Sequence, residues 1–202
     1  TLPAGSSPYG ITTGHDGALW FTAIGGAVGR LDVDGTPTLF SLPDTSGTPA
    51  MISAGPDDAM WVTLNSTGTI GRIDPANGIT LHPLPDSGCG PVGIGADATD
   101  VWFAEILAGR VGRIAPDGAV REFDLPDRTA RPHAVAPDAT GCWVTLWAGD
   151  ALIHLDELGT VTAEHQFNDG DEPHGLALGP HGTVLVALES GYLATVTPDG
   201  AG

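Results

Sequence analysis

Two histidines and two glutamates toward the C-terminal end have the types and spacing that proton transfer beside a metal ion would use. His133 and His174 each follow a proline, in Arg131-Pro132-His133-Ala134 and Glu172-Pro173-His174-Gly175. Glu172 stands two residues before His174, and Glu189 closes the apolar run Val186-Ala187-Leu188. An imidazole titrates near neutrality and can accept a proton. Two neighbouring carboxylates suit a hard divalent cation such as Mg²⁺, and such a cation draws charge from a carbonyl and acidifies the adjacent C–H. The plainer reading is two polar loop histidines and two solvated carboxylates. The two readings part on whether the fold gathers the four residues.

The elements that would position them are repeats. A Pro-x-[Gly/Ala]-hydrophobic element recurs at Pro8-Tyr9-Gly10-Ile11, Pro91-Val92-Gly93-Ile94, Pro132-His133-Ala134-Val135 and Pro173-His174-Gly175-Leu176, with a looser copy at Pro49-Ala50-Met51-Ile52. The prolines are 41, 42, 41 and 41 residues apart. An apolar strand follows each: Leu19-Trp20-Phe21-Thr22, Met60-Trp61-Val62-Thr63, Val101-Trp102-Phe103-Ala104, Cys142-Trp143-Val144-Thr145 and Val184-Leu185-Val186-Ala187. A third strand is clearest in Val28-Gly29-Arg30-Leu31, Ile70-Gly71-Arg72-Ile73 and Val111-Gly112-Arg113-Ile114, and Asp-Gly turns lead to a polar-apolar fourth strand ending in Leu-Pro. Four short strands per roughly 40 residues match the blade of a β-propeller. The expectation is an all-β, single-domain propeller over residues 1–202, of four-stranded antiparallel blades, with five repeats starting near residues 8, 49, 91, 132 and 173 and essentially no helix. Thr1-Leu2-Pro3 resembles the tail of an outermost strand, and the chain stops at Pro198-Asp199-Gly200, before the last blade's outermost strand. An N-terminal segment could supply that strand. With no initiating Met, Thr1 is not expected to be the native N-terminus.

Shared residues of a repeat are scaffold, so those that break the pattern are the candidates for chemistry. The residue after each proline varies, as Tyr9, Ala50, Val92, His133 and His174. It opens the innermost strand beside the central channel, where equivalent positions of adjacent blades are neighbours. His133 and His174 should therefore lie side by side. Glu172 falls on the same side as His174 if the segment is extended. The second strand runs back antiparallel and returns Glu189 to that rim. Glu105 and Trp147 are expected to face the same rim. His15, His82, His154, His165 and His181 are expected at the surface, in turns or outer strands.

The charge is −18, from 25 acidic residues against seven arginines and no lysine. Such a field repels phosphate backbones and anionic membranes, so neither is an expected partner. No apolar run approaches the ~20 residues of a membrane helix. Cys89 and Cys142 are expected too far apart to form a disulfide, and two free thiols fit the reducing cytoplasm. No phosphate loop, zinc-ligand spacing or nucleophile elbow is present.

The Pro8-Tyr9-Gly10-Ile11-Thr12, Leu19-Trp20-Phe21-Thr22, Ile70-Gly71-Arg72-Ile73 and Glu122-Phe123-Asp124-Leu125-Pro126 elements resemble the streptogramin B lyase family, also called virginiamycin B lyase, over essentially the whole chain. The two Pro-His stretches and Ala187-Leu188-Glu189 match that family's active-site stretches in order and spacing. The resemblance implies a lyase that opens a small cyclic depsipeptide of the type B streptogramin class at its ester, by elimination. It implies His174 as general base, Glu172 and Glu189 as Mg²⁺ ligands, and His133 as a substrate contact; Tyr9 resembles a pocket tyrosine. The family has seven blades, so five repeats are expected to mean either that two N-terminal blades are missing from this chain or that it is a true five-bladed relative with a narrower channel. A closed ring would be monomeric, and an open one could self-associate. Two other readings stay open: a non-catalytic ligand- or protein-binding sensor propeller, and a hydrolase or lactonase with another metal, which would need more ligands around the channel.

Overall fold

In a computed structural model of the chain, the structure describes residues 2, 4–43 and 47–197. The readings placed on Thr1, Pro3 and Pro198-Asp199-Gly200 lie outside them. Among the described residues nineteen strands form five antiparallel sheets, each a meander in chain order. Blade 1 holds β1 (Pro8–Thr13), β2 (Leu19–Ala23), β3 (Ala27–Leu31) and β4 (Pro37–Ser41). Blade 2 holds β5 (Pro49–Ala54), β6 (Met60–Leu64), β7 (Thr69–Asp74) and β8 (Gly78–Pro83). Blade 3 holds β9 (Pro91–Ala96), β10 (Val101–Glu105), β11 (Arg110–Ile114) and β12 (Val120–Asp124). Blade 4 holds β13 (Pro132–Asp138), β14 (Gly141–Leu146), β15 (Ala151–Asp156) and β16 (Val161–Gln166). Blade 5 has three strands among the described residues, β17 (Pro173–Leu178), β18 (Val184–Leu188) and β19 (Leu193–Val196). The helical content of the described residues is three single 3₁₀ turns, at Asn65–Thr67, Trp147–Gly149 and Pro180–Gly182. No helix among them is long and apolar enough to cross a membrane.

The innermost strands pack in the order β1, β5, β9, β13, β17. β17 also packs on β14, and no comparable packing joins it to β1 among the described residues. The five blades therefore form an open arc of a propeller. Four apolar clusters each fill one gap between neighbouring blades. Trp20 and Val28 meet Ile52 and Val62; Trp61 and Ile70 meet Val101 and Phe103; Trp102 and Val111 meet Val135 and Val144; Trp143 and Leu152 meet Val184 and Val186. The second strand supplies much of each cluster because both its faces are covered, which is why it reads as a continuous apolar run. Cys89 and Cys142 are buried free thiols in different gaps, as expected.

The repeated tryptophan has a polar handle. Its Nε1–H donates to an aspartate in the preceding turn, Trp20 to Asp16 at 3.2 Å, Trp61 to Asp57 at 3.0 Å, Trp102 to Asp97 at 2.8 Å and Trp143 to Asp138 at 3.1 Å. The arginine of the third strand completes the clamp: Arg30 and Arg72 donate through Nε to Asp16 and Asp57 at 2.6 Å, and Arg113 lies 3.6 Å from Asp97 with its guanidinium over the Trp102 ring. In blade 4 His154 takes the arginine's place, 3.3 Å from Asp138 and 2.6 Å from the Thr162 hydroxyl. It is 6% exposed, not at the surface as expected, because β15 places it in the tryptophan layer. His82 is also drawn inward, stacked on Trp61, and burial lowers its pKa. His15, His165 and His181 do lie in a turn, an outermost strand and a 3₁₀ turn, respectively.

Candidate active site

Every blade slips register at the same place, between Pro8 and Ile11, Pro49 and Ile52, Pro91 and Ile94, Pro132 and Val135, and Pro173 and Leu176. The Pro-x-[Gly/Ala] element is thus a β-bulge, a device that re-aims a side chain next to a site. A buried threonine pins it in blades 1, 2 and 4. The hydroxyls of Thr22, Thr63 and Thr145 accept from the backbone N–H of Gly10, Met51 and Ala134. The same hydroxyls donate to the carbonyl of the variable residue in the next blade: Ala50, Val92 and, at 3.0 Å, His174. Blade 3 has Ala104 here, so His133 lacks this anchor. Its carbonyl instead lies against Gly93, where a Cβ would come within 2.2 Å.

The residue before the proline adopts left-handed backbone in four blades, as Ser7 (φ 45°), Gly90 (φ 64°), Arg131 (φ 53°) and Glu172 (φ 47°). This corrects the extended reading of Glu172. A following proline favours extended backbone, and a left-handed non-glycine residue costs on the order of 1 kcal/mol. Glu172 therefore does not reach the rim by strand alternation; its turn carries it there.

The gathering itself takes place. The rings of His133 and His174 have centroids 3.8 Å apart, tilted by 39°. His174 Nε2 is 3.8 Å from Glu189 Oε1. Glu189 lies just beyond β18, and its N–H donates to the Glu172 carbonyl at 3.3 Å. Partial desolvation pushes the Glu172 pKa up, helped by a hydrogen bond and like charge shared with Glu189 and by the charge of Asp150. Tyr9, Met51, Gly93, His133 and His174, one from each innermost strand, line a cavity of about 190 Å³.

The histidines divide in character. The His133 pKa is pushed down to about 4, first by burial and then by the neighbouring His174, so at neutral pH it is an uncharged ring. Its Nδ1 is buried with no hydrogen-bond partner. The His174 side chain is 43% exposed beside a carboxylate, open to a substrate proton. Glu172 and Glu189 offer hard oxygen donors whose mutual repulsion a cation would relieve. No third His, Cys, Asp or Glu among the described residues joins them in a metal-holding group. Two carboxylates with the remaining positions left to water or substrate is a donor set that fits Mg²⁺.

Glu105 does not face the rim. It is fully buried and accepts from Arg110 Nε at 2.6 Å. Burial pushes its pKa up to about 7, with Glu122 adding to the rise and Arg110 opposing it. Trp147 stands half-buried just past β14, with the Arg131 guanidinium 5.5 Å over its ring. Thr145 and Asp150 were missed from sequence. The threonine looks like any strand residue, but Asp150 was visible as a break in a glycine pattern.

The family model for the virginiamycin B lyase family matches residues 1–196. A virginiamycin B lyase of Nocardia farcinica is 44% identical over 181 residues, 88% of this chain and 48% of the relative. One of Bordetella parapertussis is 52% identical over 48 residues, 23% of this chain and 16% of the relative. A solved virginiamycin B lyase from Staphylococcus aureus superposes with TM-score 0.91 at 34% identity, covering 96% of this chain and 68% of that one. A catalytically inactive variant of the S. aureus enzyme, solved with quinupristin, gives the same values. The chain spans about half the length of the Nocardia relative. On the strength of the family model and that 44% identity, the chain belongs to the virginiamycin B lyase family.

Proposed function

We propose that the chain carries the active site of a Mg²⁺-dependent lyase that opens a cyclic depsipeptide of the type B streptogramin class at its ester, by elimination. The observation that carries this reading is the convergence of two adjoining histidines that line one cavity with a pair of interacting glutamates, one of them 3.8 Å from His174. Glu172 and Glu189 would hold the ion. What Mg²⁺ supplies there is withdrawal of electron density from a substrate carbonyl, which acidifies the neighbouring C–H. His174 takes the proton from the carbon α to that carbonyl. The electron pair left behind forms a C=C bond to the β carbon, whose bond to the ester oxygen breaks, and the oxygen leaves as a carboxylate. Glu189, 3.8 Å from Nε2, stabilises the imidazolium that forms. His133, neutral and lining the cavity, offers the substrate a hydrogen bond from its ring. Tyr9 lines the cavity from the opposite end of the arc and contacts the peptide ring. The buried free thiols suit a cytoplasmic site of action.

Mass spectrometry of a type B streptogramin incubated with the protein and Mg²⁺ tests this. Elimination gives a linear product of unchanged mass. A gain of one water would mean hydrolysis, and an intact ring would favour a binding propeller.

A further inference from the structure

The turn after the second strand ends in a left-handed residue, and in the two preceding blades that residue is glycine. Gly68 has φ 56° and Gly109 has φ 63°; the equivalent in blade 4 is Asp150, with φ 48°. At Gly68 a Cβ would come within 2.6 Å of the Ser87 backbone, and at Gly109 within 2.1 Å of the Arg128 carbonyl oxygen. The loop leading into the next blade's proline leaves no room for a side chain there. In blade 4 it does. The Asp150 carboxylate fills the space and accepts from two backbone N–H groups of that loop, Gly170 at 3.0 Å and Glu172 at 2.7 Å.

A second anchor works from the other side of the loop. Asp171, 8% exposed, accepts from the Asn168 backbone N–H at 2.9 Å and from the Ser190 hydroxyl at 2.7 Å. Ser190 follows Glu189, whose N–H bonds the Glu172 carbonyl. The backbones of the two rim glutamates are thus tied to each other, while Asp150 holds the Glu172 amide and Asp171 holds Ser190, the residue after Glu189. In blade 4 an aspartate pays the left-handed strain that glycine avoids, and a non-glycine residue in such a conformation persists where the surroundings over-determine it.

We infer that Asp150 is a positioning residue, whose carboxylate holds the Glu172 turn so that the Glu172 side chain meets Glu189 at the rim. The inference deepens the metal reading of that pair and rests on it for its consequence, but the holding of the turn is independent of any ion. Outer carboxylates that orient ligands of a metal are worth about 10- to 100-fold in affinity.

Asp150→Gly restores the residue found in the neighbouring blades and keeps the backbone conformation accessible, so folding is retained. Asp150→Asn keeps one acceptor oxygen and removes the charge. Two measurements on the whole chain decide the matter. Amide hydrogen exchange without metal reads the turn: the Gly170 and Glu172 amides exchange about fivefold faster or more in Asp150→Gly, and Asp150→Asn falls between the two. Calorimetric titration with Mg²⁺ alone reads the consequence: affinity falls about tenfold or more in Asp150→Gly at an unchanged melting temperature. Unchanged exchange at both amides overturns the inference, as does equal Mg²⁺ loss in both variants with no change in exchange, which would make Asp150 a source of charge only. If the unsubstituted protein binds no Mg²⁺, the metal reading fails, and the exchange result alone decides whether Asp150 holds the turn.

Discussion

Blades 2 and 5 are the same repeat put to opposite uses. In blade 2 the carboxylate under the tryptophan is paired: Asp57 accepts from both Trp61 and Arg72, and Arg72 also lies 3.7 Å from Asp74. The clamp closes over a tryptophan with no exposed surface. In blade 5, Leu185 and Thr195 stand where the tryptophan and arginine would be, and no clamp forms. Its acidic residues gather at the rim, where Glu172 and Glu189 face each other and a histidine rather than an arginine. Charge is neutralised where the fold needs rigidity and left uncompensated at the rim where the proposed site lies. Blade 4 is intermediate, with the tryptophan kept and His154 in place of the arginine.

The sharpest way to break this comparison is a crossed pair of substitutions. His174→Ala should lower turnover of the cyclic substrate by about 10²- to 10⁴-fold and leave the melting temperature unchanged, because the side chain is 43% exposed. Trp61→Ala should cost about 3–5 kcal/mol in urea denaturation, and its activity should follow the folded fraction. A His174 variant that unfolds, or a fully active one, would erase the division between site and scaffold. Next in size, Asp57→Ala strips two donors of their acceptor and should cost about 1–3 kcal/mol. A loss under 0.5 kcal/mol would show that the tryptophan packing carries the blade without its clamp.

The repeat, its strand count and the side-by-side histidines were legible because a propeller turns sequence period into spatial adjacency. Equal spacing of the prolines is enough to place His133 against His174. Glu189 was legible for the same reason, as the return of an antiparallel strand. Glu172 reached its place by a route the sequence does not advertise: a left-handed turn held by Asp150, whereas alternation assumes extended chain. Glu105 was misplaced because its position belongs to the core in the other blades, as Leu64 and Leu146 do, and its partner Arg110 comes from the next strand. His154 was misplaced because a histidine in a third strand reads as polar surface until the aspartate and threonine around it are known.

A smaller effect links the two regions. Thr145 is fully buried, and its hydroxyl bridges the bulge of blade 4 to the His174 carbonyl. Thr145→Val keeps the shape and removes both bonds, and should cost about 1–2 kcal/mol. Thr22→Val should cost a similar amount, because it loses the same two bonds in blade 1. Only the blade 4 change should also lower kcat, since only it frees a histidine of the site. Equal kcat in the two variants would show that the bulge positions His174 without the threonine.

The smallest effect is in the pH dependence of stability, where site and scaffold pull in opposite directions. His133 has its folded pKa lowered to about 4 from an ordinary 6.5. Between those values the unfolded chain binds the proton that the folded chain refuses, so stability falls as pH drops from about 6.5 to about 4. Glu105 has its folded pKa raised to about 7 from 4.5. There the folded chain keeps a proton that the unfolded chain has lost, so this contribution falls as pH rises from about 4.5 to about 7. Urea midpoints measured across that shared window separate them. His133→Phe keeps a ring against His174 and removes the acid-side loss, a change on the order of 1 kcal/mol once solvent screening of the half-buried ring is allowed for. Glu105→Gln removes the loss on the alkaline side. If His133→Phe leaves the pH profile unchanged, the ring is not held neutral by the fold, and its part as an uncharged hydrogen-bonding partner for the substrate goes with it.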